Sequence, residues 1–205
     1  MPLMPFTRRR LTLLASAAAF AVLAGCATNP ANLSTATVAD YRETIDLAGR
    51  LSVNYQKDGR PESLNGNFEW EQKPGAIDVT LASPLGQTVA TINVTPNAAT
   101  LTQAGQPPRT ADDIDGLTQQ TLGWPLPVSG LRDWLQGYAL DAAGKRFRAS
   151  PAQGTVTTRD GWRLRFMEWQ DPAAAQPVPR LIQAERAAVG DIQDLSIRIV
   201  IQPAG

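Results

Sequence analysis

The chain of 205 residues offers few side chains able to do covalent chemistry: it has no histidine and one cysteine, Cys26. Lack of histidine removes Ser-His-Asp and Cys-His nucleophiles, imidazole acid–base work and histidine-ligated zinc. One thiol cannot form a disulfide within the chain. Neither a GxxxxGK[ST] loop nor a GxGxxG turn is present, so the common phosphate-cradling motifs are missing. The densest carboxylates, Asp112, Asp113 and Asp115, are placed as charges that favour the start of a helix. Glu69 and Glu71 straddle Trp70 as solvated strand residues. No catalytic residue, metal site or cofactor is expected. The 19 Lys and Arg balance 19 Asp and Glu, and three of the arginines are Arg8, Arg9 and Arg10. Residues 26–205 therefore carry three acids in excess and no basic cluster, which argues against nucleic acid as a partner.

The place of Cys26 is informative. The three arginines precede an apolar stretch, Leu11 to Leu23, and small residues lead into the cysteine. That is the layout of a secretory signal peptide, and about 13 apolar residues are too few to span a bilayer comfortably. Leu23-Ala24-Gly25-Cys26 resembles the lipobox of bacterial lipoprotein precursors. In such precursors the cysteine receives a diacylglyceryl thioether, the leader is cut before it, and the new amino group is acylated. The resemblance implies a signal peptide over 1–25 and lipid attachment at Cys26. Two or three acyl chains hold a protein to a membrane where one is marginal. Ala27, rather than an aspartate, follows the cysteine. By the same likeness this points to the outer membrane, the protein being lipid-anchored on its periplasmic face. An ordinary cleaved leader with an incidental cysteine is the alternative.

The elements that surround any site follow from patterning. Residues 26–40 are small and polar, an acylated N-terminus and flexible tether; the 14 residues from Ala27 to Asp40 reach roughly 45–50 Å when stretched. From Leu47 strict alternation begins: Leu47, Gly49, Leu51, Val53 and Tyr55 point one way, with polar residues between them. It recurs at Leu64, Gly66, Phe68 and Trp70, at Ile77, Val79 and Leu81, and at Ile92 and Val94. Trp162, Leu164 and Phe166 repeat it, as do Leu195, Ile197, Ile199 and Ile201. Such runs are antiparallel strands with one apolar face. Lys57-Asp58-Gly59, Lys73-Pro74-Gly75 and Asp160-Gly161 mark turns.

Two short helices are expected between Thr110 and Gly137, the first capped by Thr110 and facing inward with Ile114, Leu117 and Leu122. The second starts near Pro127 to Ser129 and carries Leu131, Trp134 and Leu135. Nine to eleven strands with so little helix must curl on themselves into an open or closed barrel, residues 41–205 forming one domain. Trp70, Trp134 and Trp162 point inside, where they either fill a core or line a cavity beside Gly49 and Gly66. Patterning leaves both open.

The runs "LAGRLSVNYQ", "GNFEWEQ", "LASPLGQTVATINV", "TADDIDGLTQQTLGWPLPVSGLRDWLQG" and "DGWRLRFMEW", in that order, resemble the LolB family of outer-membrane lipoprotein receptors. The likeness covers nearly all of residues 26–205. It implies a mainly β fold with short helices: an unclosed antiparallel half-barrel covered by a helical lid around a hydrophobic cavity. It implies a monomer that receives lipidated cargo proteins from the periplasmic carrier LolA, holds their acyl chains, and inserts them among outer-membrane phospholipids. The residues then expected to line the cavity are Leu51, Val53, Phe68, Trp70, Ile92, Leu131, Trp134, Trp162, Leu164, Phe166, Ile197 and Ile199. Pro84, Leu85 and Gly86 match a protruding membrane-insertion loop. A leucine at a turn tip leaves apolar surface in water, and its insertion into lipid is worth about 1.5–3 kcal/mol. A lipid-anchored scaffold that binds a protein partner rather than acyl chains is the competing reading.

Overall fold

A computed structural model describes residues 33–189 and 191–203; the leader, Cys26 and residues 27–32 lie outside the described residues. Among the described residues twelve strands and two helices follow in order. The strands are β1 (Ile45–Lys57), β2 (Arg60–Lys73), β3 (Ala76–Ala82), β4 (Thr88–Val94), β5 (Ala99–Gln103) and β6 (Arg109–Ala111). Helices α1 (Ile114–Leu122) and α2 (Val128–Trp134) come next. Strands β7 (Tyr138–Leu140), β8 (Arg146–Arg148), β9 (Thr155–Thr157), β10 (Arg163–Trp169), β11 (Pro179–Val189) and β12 (Ile192–Ile201) complete the chain. The count exceeds the expected nine to eleven because β6 to β9 are three residues each, too short to show alternation.

Ten strands form one antiparallel sheet in the order β6-β5-β4-β3-β2-β1-β12-β11-β10-β9, and β7 pairs with β8 apart from it. The first and last strands of the large sheet do not pair with each other, so the sheet is curled but open. Its hairpins use the turn chemistry visible in the sequence. Asp58 and Gly59 both have positive φ, 52° and 72°, as a two-residue hairpin turn needs. Gly75 after Pro74 has φ 75°, the geometry of a type II turn.

The apolar phase of each strand faces inward. Ile45, Leu51, Val53, Phe68, Trp70, Val79, Ile92, Leu164, Phe166, Ile197, Ile199 and Ile201 are all buried. Curvature depends on missing side chains. A Cβ on Gly49 would stand 2.2 Å from the Val200 carbonyl and 2.6 Å from the Phe68 ring, which fills that space instead. Glycine within a strand marks such close approach. Leu64 shares the inward phase of Phe68 and Trp70, yet it is 45% exposed. It lies beyond the cover that the helices give.

The cap of helix α1 lies three residues later than expected. Thr110 belongs to β6 and meets Thr100 across the ladder. Asp113 caps the helix instead, its carboxylate accepting from the amides of Asp115 and Gly116 at 3.1 Å. Gly123, at φ 79°, ends it. Part of the segment read as tether lies on the folded body, which begins at Leu33. Val38 is buried; its amide donates to the Ala149 carbonyl (3.1 Å), and its carbonyl accepts from Arg148 (2.7 Å). The Ala152 amide reaches the Ser34 carbonyl at 3.0 Å.

Candidate functional site

The concave face of the sheet is covered unevenly. Leu126, Leu131 and Leu135, on and beside α2, close over Leu51, Phe68, Trp70, Val79, Leu81 and Ile199, leaving a space of only about 20 Å³. Trp134 meets Trp162 edge to face with ring centroids 5.7 Å apart. Phe166 is sandwiched between Phe147 and Trp169. This inner region is packed.

Next to it is an apolar opening of about 320 Å³, lined by Leu51, Val53, Leu64, Gly66, Leu81, Ala82, Val89, Leu122 and Trp124 among others. That size falls within the roughly 300–1,000 Å³ of small-molecule sites. Leu51 and Leu81 border both spaces, so the opening is a mouth that adjoins the packed interior along the sheet. Of the residues expected to line a cavity, Leu51 and Val53 border the mouth, and Leu51, Phe68, Trp70, Leu131 and Ile199 border the inner space. Ile92, Trp134, Trp162, Leu164, Phe166 and Ile197 are buried and line neither. Leu64, Leu81, Val89, Leu122 and Trp124 were not expected at the site. For Trp124 the signal was a large apolar side chain amid the glycine and prolines of "LGWPLP".

The mouth shares its rim with the "SPLGQ" loop. Ala82 and Ser83, which line it, lead directly into a tight turn. The Gly86 amide donates to the Ser83 carbonyl at 2.9 Å, the Ser83 amide to the Gln87 carbonyl at 2.8 Å, and Gly86 has φ 84°. Pro84 and Gly86 thus fix the turn, and Leu85 at its tip is 89% exposed. It does not fold back onto the sheet. A leucine so placed has most of its apolar surface in water.

The two helices are tied down differently. Helix α2 is clamped to the residues before β1: Arg132 donates to the Tyr41 hydroxyl (3.1 Å) and to Glu43 (3.0 Å). Gln136 brackets Arg42, accepting from its amide and donating to its carbonyl. The Tyr41 hydroxyl also accepts from Gln72, whose side-chain carbonyl faces the Trp70 indole N–H at 3.4 Å. A chain of polar contacts therefore runs from the core to the lid. Helix α1 rests on β5 and β6 and is tied by side-chain hydrogen bonds to the connection that follows it and to α2. The Thr118 hydroxyl donates to the Asp115 carbonyl (2.8 Å) and accepts from the Leu126 amide (3.1 Å). The Asp115 carboxylate accepts from Ser129. Burial pushes the Asp115 carboxyl above its usual range, against the opposing effect of the Ser129 bonds.

Among the described residues no three His, Cys, Asp or Glu side chains come together as a metal site, and no helix is long and apolar enough to cross a membrane. The arrangement offers shelter for an apolar group and an apolar tip beside the shelter.

A family described as "Outer membrane lipoprotein LolB" matches residues 43–203. Three relatives carry the name outer-membrane lipoprotein LolB. The one from Cupriavidus necator is 45% identical over 157 residues, covering 76% of this chain and 77% of the relative. That from Ralstonia nicotianae is 36% identical over 201 residues, covering 94% and 96%. That from Bordetella pertussis is 32% identical over 184 residues, covering 88% and 87%.

Proposed function

The chain belongs to the LolB family of outer-membrane lipoproteins, not to a family of enzymes, and from that membership we propose that it works as a receptor. It takes lipidated proteins from a LolA-type periplasmic carrier, shelters their acyl chains at the mouth of the half-barrel, and releases them into the outer membrane. It is held at the periplasmic face of that membrane by lipid on Cys26. The observation that carries this reading is the shared rim: an open apolar mouth borders a turn whose leucine is almost fully exposed.

Transfer of this kind runs downhill. Each site along the route need only hold the chains better than the last, and a tenfold preference is about 1.4 kcal/mol. Every methylene moved from water to an apolar wall contributes about 0.8 kcal/mol, so a mouth that covers part of a chain supplies a useful preference. Fuller cover needs the inner space of about 20 Å³ to widen. Because α2 is clamped through Arg132 and Gln136, the smaller motion is one of α1 and the 123–127 connection, which roof the mouth. Leu85 meanwhile enters the bilayer beside the opening, contributing about 1.5–3 kcal/mol, a touch rather than an anchor.

The test uses a soluble Cys26→Ala form incubated with carrier loaded with labelled lipoprotein. Label is expected to pass to the receptor, and an apolar fluorescent probe to bind it. If the form neither takes cargo nor binds the probe, the reading fails.

A further inference from the structure

The sheet is ragged at the mouth. Strand β2 pairs with β1 from Arg60 to Gln72, but with β3 only from Asn67 onward. Residues 60–66 therefore have a neighbouring strand on one side alone, and Arg60 to Asn65 are exposed. Asn65 and Gly66 line the mouth. A bare strand edge thus leads from the mouth toward the β1–β2 turn, roughly 14 Å from Asn65 to Pro61 at about 3.4 Å per residue.

Which main-chain groups lie on that edge follows from the pairing. In an antiparallel ladder each residue turns both its N–H and its C=O to one neighbour, and successive residues alternate. The Ala48 carbonyl accepts from the Gln202 amide at 2.9 Å, so even-numbered residues of β1 bond on the β12 side and odd-numbered ones bond to β2. Leu51 stands opposite Gly66, and Val53 opposite Leu64. Gly66 and Leu64 therefore turn their groups to β1, while Pro61, Ser63 and Asn65 turn theirs outward. Pro61 has no N–H, which blunts the end remote from the mouth. Ser63 and Asn65 each present a donor and an acceptor with no backbone partner among the described residues. The Asn65 side chain is engaged on the polar face, where its oxygen accepts from the Ser52 hydroxyl at 2.7 Å. Native sheets blunt or cover such edges; here the part beside the mouth is left open.

We infer that the extended segment after the lipidated cysteine of a cargo protein adds to β2 as an edge strand, bonded to the main chain of Ser63 and Asn65. This rests on the receptor reading. With acyl chains in the mouth, the cargo chain starts beside Asn65 and leaves toward Pro61. It then runs against the direction of β2, the antiparallel sense in which β2 meets both β1 and β3. Main-chain bonding gives affinity without reading side chains, so the edge accepts any cargo sequence that lacks proline at the bonded positions. The chain's own segment downstream of Cys26 is held in the same manner. The Ser34 carbonyl accepts from the Ala152 amide at 3.0 Å, and the Val38 amide donates to the Ala149 carbonyl at 3.1 Å.

The test titrates the soluble Cys26→Ala form with fluorescent lipopeptides, each a diacylglyceryl cysteine followed by a short run of small polar residues. One is unmodified, one is N-methylated at alternate peptide nitrogens, and one at the intervening nitrogens. An added strand turns every second amide to β2. One methylated version should therefore bind about tenfold weaker than the unmodified peptide, and the other equally well. Ser63→Pro deletes an amide that bonds nothing in the sheet, in the phase where Pro61 already stands, so the unfolding midpoint should not move. It should weaken the unmodified peptide about tenfold and erase the difference between the methylated versions. Ser63→Ala keeps the amide and should bind like the parent. Equal binding of the two methylated versions, or full-strength binding by a folded Ser63→Pro protein, overturns the strand addition alone. A receptor that dimerises through this edge, and is monomeric as Ser63→Pro, gives the edge to a second copy and overturns it as well. Failure to bind any lipopeptide or an apolar probe defeats the receptor reading and this inference with it.

Discussion

Ser129, on the first turn of α2, donates to the Asp115 carboxylate of α1 from both its backbone amide, at 3.1 Å, and its hydroxyl. One side chain thus joins the two helices that cover the sheet. Asp115→Ala should destabilise the fold by about 1 kcal/mol, the net worth of such contacts, measured by urea unfolding. An unchanged midpoint would show that the helices are held together elsewhere.

The same carboxylate gives a pH signature. Burial raises its pKa above the usual 3.8, so the folded protein holds this proton more tightly than the unfolded chain does. Stability from this group is therefore full below pH 3.8 and is lost as pH rises through the folded-state value. Asp115→Asn cannot titrate. Relative to the variant, the parent protein should lose stability as pH climbs through that window; a parent that gains there contradicts the assignment.

Gly49 tests the curvature. A methyl group on its Cα would stand 2.2 Å from the Val200 carbonyl and 2.6 Å from the Phe68 ring, so Gly49→Ala should cost about 1–3 kcal/mol, as overpacking does. Arg50→Ala on the opposite, exposed phase of β1 is the control and should be nearly silent. Equal stability of the two variants would mean that the sheet relaxes without cost.

Leu85→Glu should fold and unfold like the parent, since the side chain is 89% exposed. It should accept cargo from the carrier and fail to release it into liposomes. Normal release removes the turn from the mechanism. Co-purification separates the receptor from the scaffold reading: lipidated cargo supports the first, a stoichiometric protein partner the second.

The strands are legible in the sequence because they are long and half-buried. Leu195, Ile197, Ile199 and Ile201 alternate with exposed or half-buried residues, and one face of a sheet imposes that period. The cap of α1 is not legible, because Thr110, Asp112 and Asp113 all suit an N-cap and only the ladder contact of Thr110 with Thr100 decides among them. Val38 is one apolar side chain among small ones, so its docking near Ala149 leaves no periodic trace. Cavity volume is legible least of all. Trp134 and Trp162 point inward whether they line a space or fill it, and here they fill it against each other. The exposed Leu64 and Leu85 show where cover ends, and cover is a property of the assembled lid.

The most direct test of the central claim is photo-crosslinking to cargo lipid from two positions of β2. Leu64 lies in the apolar phase at the mouth, whereas Glu69 points to the exposed side of the same strand. With a photoreactive residue at one or the other site, and lipoprotein carrying labelled acyl chains, Leu64 is expected to capture lipid and Glu69 to capture none. Capture at Glu69 equal to that at Leu64, or none from Leu64 while cargo is bound, would contradict an acyl chain held in the mouth of the half-barrel.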